Sequence, residues 1–150
     1  MKKTPQENII HKNFLPGVIT KEGFLGDDPR HVHEIVNEDT RILARLNRTP
    51  EQVADRLQFF IEQGKKGLET KVDLGDYTVQ IIWSRGLLPC PFEEPRLHHK
   101  ITCTVEVKDL NRTFKYSQLS VHMIREHGFF GGRGSPFRLN PTEMVELLGA

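Results

Sequence analysis

The chain predicts an α+β fold: about four antiparallel strands in two hairpins, with helices packed on one face, in a single two-layer domain. Two observations carry this. Apolar residues recur at helical spacing up to Gly64 and again after Ser117, while between Leu68 and Tyr116 the period falls to two. Turn residues also divide the alternating stretch into two hairpins. At 150 residues, the chain suits one core.

Residues 1–10 are polar and are expected to form a flexible N-terminal arm, with residues 11–150 as the domain. Asn13 to Asp28 mixes Pro-Gly, two further glycines and Asp-Asp with six apolar residues. It reads as irregular structure that packs on the domain. Asp28-Pro29 marks a helix start, with Asp28 as N-cap and Pro29 in the first turn. The helix then runs to about residue 47, either unbroken or as two short helices meeting near Asn37–Thr40. Thr49-Pro50-Glu51-Gln52 is a capping box for a helix that Gly64 closes.

Leu68, Thr70, Val72 and Leu74 alternate with polar residues up to a Gly75-Asp76 turn. Tyr77, Val79, Ile81 and Trp83 return, placing Val72 opposite Val79, Thr70 opposite Ile81 and Leu68 opposite Trp83. Gly86 to Pro95 contains three prolines and reads as a stiff loop. Ile101, Cys103, Val105 and Val107 form the clearest strand. Asp109 to Arg112 turns it, so that Phe114 faces Val107 and Tyr116 faces Val105. Ser117 or Ser120 caps the next helix, Gly128 ends it, and Asn140-Pro141 starts the last one.

Net charge is +1, so bulk attraction to nucleic acid or an anionic membrane is not expected. Eight of the basic residues nevertheless lie between Arg96 and Arg138, against three acids, leaving a modest basic half. No apolar run spans a membrane and no signal-peptide core follows Met1-Lys2-Lys3, which points to the cytoplasm. The two cysteines, Cys90 and Cys103, make no disulfide framework and are read as reduced.

The least ordinary stretch is Gly128 to Arg138, GFFGGRGSPFR. Its glycines allow backbone N–H groups to converge on an anion, and Arg133 and Arg138 supply two-pronged donors beside Ser135. It lacks the Lys-Ser/Thr ending and preceding strand of a phosphate-binding loop. The same residues also suit a connector whose phenylalanines fill the core. Asp27 is placed to pair with Arg133 or Arg138 if the two irregular segments meet. His127, in the last helical turn, fits a general base or a C-terminal cap. His122, roughly 140° away around the helix, is a second candidate base.

Metal pairs are weighed by geometry. His31 and His33 on a helix point roughly 200° apart. His99 and Cys103 lie roughly 13 Å apart along a strand. No metal or other cofactor is therefore expected, with one alternative: Cys90, His98 or His99 and a helix histidine holding zinc, if the proline-rich loop folds back over the sheet. The leading expectation is a binding or adaptor domain for a protein or a small anion, with nucleic acid less favoured. The alternatives are an enzyme with a histidine base and arginine clamp, and the zinc domain.

Overall fold

Turn chemistry sets the sheet. Gly75 takes φ 88° and its N–H donates to Asp73 Oδ1 at 2.8 Å, folding β1 (Val72–Asp73) onto β2 (Tyr77–Pro89) with Val72 opposite Val79. β3 (Leu97–Val107) and β4 (Arg112–Ser117) follow, in the antiparallel order β1-β2-β3-β4. Five helices complete an α+β domain: α1 (Pro5–Asn13), α2 (Val32–Arg45), α3 (Pro50–Lys65), α4 (Gln118–His127) and α5 (Pro141–Leu148). The computed structural model describes residues 5–148. Of the expected N-terminal arm, residues 5–10 belong to α1, and its first four residues lie outside the described ones.

The strand plan departs from the periodic one in three places. β1 does not reach Leu68, because Leu68 and Glu69 take left-handed φ values of 48° and 72° and the chain curls at Gly67–Thr70. The Glu69 carboxylate then accepts the Trp83 N–H at 2.9 Å, replacing the strand partner that Leu68 would have supplied. β2 runs on past a bulge after Ser84, and Leu87, Leu88 and Pro89 pair with His99, His98 and Leu97. The expected stiff loop is thus shorter. β1 covers only the start of β2, so Pro89 lies where no second neighbour needs its N–H. In the second hairpin, a one-turn 3₁₀ segment at Lys108–Leu110 and Asn111 at φ 48° lengthen the turn. Val105 consequently faces Phe114 and Cys103 faces Tyr116, two residues from the expected register.

The helix ends follow capping chemistry, with two exceptions. Thr49 and Gln52 close the expected box on α3, and Ser117 with Ser120 closes one on α4. α2 begins three residues later than Asp28-Pro29 implies: His31 is its N-cap, Nδ1 accepting the His33 N–H at 3.1 Å, and α2 continues unbroken through Asn37–Thr40. Gly64 does not end α3 but lies inside it. A β-carbon there would sit 2.8 Å from Ile81 Cγ2, so the glycine lets α3 press on β2.

α3, α4 and α5 cover one face of the sheet, and Phe60, Ile61, Val79, Ile81, Val105 and Tyr116 share the main core. The buried Tyr116 hydroxyl donates to the Leu57 carbonyl at 2.7 Å. A second cluster joins Phe14, Leu25 and Ile35 to Cys90, Leu119, Met123 and Phe129, so the irregular Asn13–Asp28 segment packs as expected.

The carboxylates joining that segment to the glycine loop are not the expected one. Asp27 meets the loop through its backbone, its N–H donating to the Arg133 carbonyl at 3.1 Å. Asp28, with its side chain fully buried, accepts two bonds from the Arg30 guanidinium, at 3.0 and 2.7 Å, and one from the Arg133 N–H at 3.1 Å. Arg138 pairs in two-pronged fashion with buried Asp39 and also donates to the Gly131 carbonyl at 2.9 Å.

Two outcomes test this packing. A β-carbon at Gly132 would meet the Leu25 carbonyl oxygen at 2.2 Å, so Gly132→Ala should cost about 1–3 kcal/mol in a urea titration. Arg30 bonding, against the opposing pull of burial, holds the Asp28 carboxyl well below its ordinary value of 3.8. Its stabilising contribution is therefore complete above that value and fades as the pH falls below it. Asp28→Asn should lower stability at neutral pH and flatten the loss of stability below about pH 4, as read by melting midpoints across pH.

Candidate metal centre

Four donor-bearing side chains meet where the loop after β2 lies on α4. One ligand atom each from Cys90, Glu94, His122 and His127 comes within 4.8 Å of every other. The loop is shaped by its own sequence. Pro91 and Pro95 bracket it, the Glu93 N–H donates to the Cys90 carbonyl at 3.1 Å, and Glu93 takes φ 64°. Asn13 at the end of α1 steadies it, donating to the Pro91 carbonyl at 3.0 Å and to the Glu93 carboxylate at 3.2 Å. Phe92 packs edge-on against Phe14 and Phe129.

His122 and His127 straddle the Leu119–Met123 stripe of α4, and their rings meet edge-on across it. The loop docks over that stripe, and Glu94 arrives between the two rings. His122 Nε2 lies 3.0 Å from Glu94 Oε1, and His127 Nε2 hydrogen-bonds the same oxygen. The ring centroids of the two histidines are 5.7 Å apart. Phe92 stacks flat on His127 at 4.0 Å, fixing its ring plane, and His98 lies against His122 at 4.3 Å.

Burial grades across the cluster. Cys90 is 2% exposed, and the His122, His127 and Glu94 side chains are 9, 22 and 34% exposed. Burial pushes the Cys90 thiol up to about 12, and the Glu94 carboxylate beside it acts in the same direction. For Glu94, burial favours the neutral acid, but hydrogen bonds from His127, His122 and Cys90 outweigh it and hold the carboxyl down at about 2. One carboxylate thus gathers a thiol and two imidazoles. Thiolate sulfur, imidazole nitrogen and carboxylate oxygen form a donor set suited to zinc-like divalent ions. The buried, protonated Cys90 lacks the low pKa of a nucleophilic thiol.

The other sequence-derived candidates fall elsewhere. His98 is near the cluster but outside the set of four. Its Nε2 is buried without a hydrogen-bond partner, and burial together with the neighbouring His122 holds its pKa below the ordinary value. His99 is exposed and packs edge-on against Trp83. His31 is an N-cap and stacks on His11 at 4.4 Å. In the glycine loop, the N–H of Gly132 donates to Phe24, that of Arg133 to Asp28, that of Ser135 to Gly132 and that of Arg138 to Ser135. Those donors are spent within the chain, and Phe129 and Phe130 are core residues. Glu94 is the residue that sequence reasoning missed. Its signal was the C-x3-E spacing inside a loop bounded by prolines.

Comparison with family models, curated proteins and solved structures gives no match. Among the described residues no helix is long and apolar enough to cross a membrane.

The burial of both cysteines has a direct readout. Native protein should react with an aromatic disulfide reagent far more slowly than free cysteine does, with two thiols titrating only on unfolding. Rapid titration of one thiol in the native state would take Cys90 out of the cluster.

Proposed function

We propose that the protein is a small binding domain stabilised by one zinc-like divalent ion, held by Cys90, Glu94, His122 and His127. The observation that carries this reading is the mutual approach of the four ligand atoms within 4.8 Å. Two imidazole nitrogens aimed at one carboxylate oxygen, beside a thiol, need only small side-chain adjustments to surround an ion.

Four protein donors fill a tetrahedral shell, so the site fits a structural role, not that of an open catalytic centre. Its mechanical effect is a clamp, tying the Cys90–Pro95 loop to α4 across the end of the sheet. Binding must displace the thiol proton and fix both histidines as neutral ligands. The alternative of a histidine base with an arginine clamp finds less support, because Arg138 is committed to Asp39 and Glu94 holds both histidines. A small anion at the glycine loop finds less support, because the N–H groups of Gly132, Arg133, Ser135 and Arg138 are bonded within the chain.

Cobalt(II) is the test. Metal-free protein should take up one equivalent and develop a thiolate-to-cobalt charge-transfer band in the near ultraviolet. Cys90→Ser should lose the band while Cys103→Ser keeps it. Free zinc about a hundredfold above the dissociation constant should stabilise the fold by about 2.7 kcal/mol, and so raise the melting midpoint by roughly 5–11 °C. No cobalt uptake, or a band that survives in Cys90→Ser, would overturn the assignment.

A further inference from the structure

A cleft of about 460 Å³ lies beside α4, and none of the four cluster residues lines it. The volume falls in the roughly 300–1,000 Å³ range of small-molecule sites. Its walls come from five separate parts of the chain: Phe24 on the N-terminal segment, Leu88 on β2, Ile101 on β3, Leu119 and Met123 on α4, and Phe129 and Phe137 on the glycine loop. The lining is mainly apolar carbon, and its hydroxyls are Thr20, Ser84, Thr102, Ser117, Ser120 and Ser135. Of these, Thr20 accepts the Gly23 N–H, and Ser117 and Ser120 are engaged in the α4 capping box.

Charge at the cleft is unequal. Lys21 and Lys100 line it, and neither takes an ion pair among the described residues; Glu22 is the acid that accompanies them. A neutral apolar ligand would leave both ammonium groups unused, and a cationic one would meet two like charges. A carboxylate carried on an apolar chain satisfies walls and lysines together.

The geometry points to a binding site for an amphipathic carboxylate, a medium-chain fatty acid in chemical class, with its chain among Leu88, Leu119, Met123 and the loop phenylalanines and its carboxylate toward Lys21 and Lys100. This goes beyond the metal reading and does not rest on it. The glycine loop gains a role as a wall: Gly131, Ser135, Pro136 and Phe137 bound the cleft beside the N-terminal segment, to which the loop is hydrogen-bonded.

The test is calorimetric titration of the full chain with decanoate, with octanoate and decyltrimethylammonium as comparisons. Decanoate should bind once per chain and saturate below about 1 mM, and octanoate should bind roughly tenfold more weakly for its two missing methylenes. The Lys21→Glu/Lys100→Glu double variant, altered only at exposed positions, should weaken decanoate about tenfold without lowering the melting midpoint. Met123→Trp, which fills the cleft, should abolish binding. Absence of saturable decanoate binding would overturn the proposal. So would equal affinity for decyltrimethylammonium, or affinity unchanged in the double variant. Because these outcomes are read without added metal as well as with zinc, failure here leaves the cobalt result standing, and the reverse holds too.

Discussion

Phe14 is the contact on which the functional end of the molecule depends. Its ring is fully buried, and Phe24, Phe92 and Phe129 meet it at 5.8, 4.9 and 4.8 Å, all in edge-to-face geometry. Each partner belongs to a different irregular segment: the N-terminal stretch, the loop after β2 and the exit from α4. These segments have few ladder hydrogen bonds of their own, so aromatic packing fixes where they lie. Phe92 then stacks on His127, which carries the order of the aromatic cluster directly into the donor set. The cleft takes Phe24 and Phe129 as walls from the same cluster. One buried ring therefore positions both features.

The parts of the fold that were legible in the sequence are those set by local chemistry. Thr49 and Gln52, Ser117 and Gly128, and the Gly75-Asp76 turn each specify an end or a reversal within a few residues, and all three occur. What was not legible depended on competition between distant groups. Asp28 has the signature of an N-cap, but Arg30 and the Arg133 N–H take its carboxylate, and His31 caps α2 instead. Leu68 has the right parity for a strand, but the Glu69 side chain claims the Trp83 N–H. The second hairpin slipped by two residues because Asn111 tolerates a left-handed conformation, which a list of turn-forming residues does not reveal.

The donor set was legible only in part, for an instructive reason. Spacing rules ask whether two side chains on one helix can reach one point, and a separation of roughly 140° argues against it for His122 and His127, yet both Nε2 atoms meet Glu94 Oε1. The protein solves a different problem. A third segment lies along the apolar stripe between the two histidines, and a carboxylate from it reaches both. Cys90 enters from the same segment because β2 extends to Pro89, further than three nearby prolines suggest. A constellation assembled across 28 to 37 residues of sequence leaves no fixed spacing; its trace is the docking surface, here Leu119 and Met123 beneath Cys90 and Phe92.

That arrangement gives α4 two tasks that constrain each other. Leu119 and Met123 contribute to the cluster that seats the donor-bearing loop and also to the wall of the cleft. A bound ion would hold the end of β2 against α4, and Leu88, two residues before Cys90, lines the cleft at that point. The proposed ion and the cleft would therefore be linked through one segment, not through any shared polar group. A clamp at this position acts on shape alone. It would fix the separation of β2 and α4, while the charge proposed to select the cleft's ligand lies on Lys21 and Lys100, outside the set of four donors.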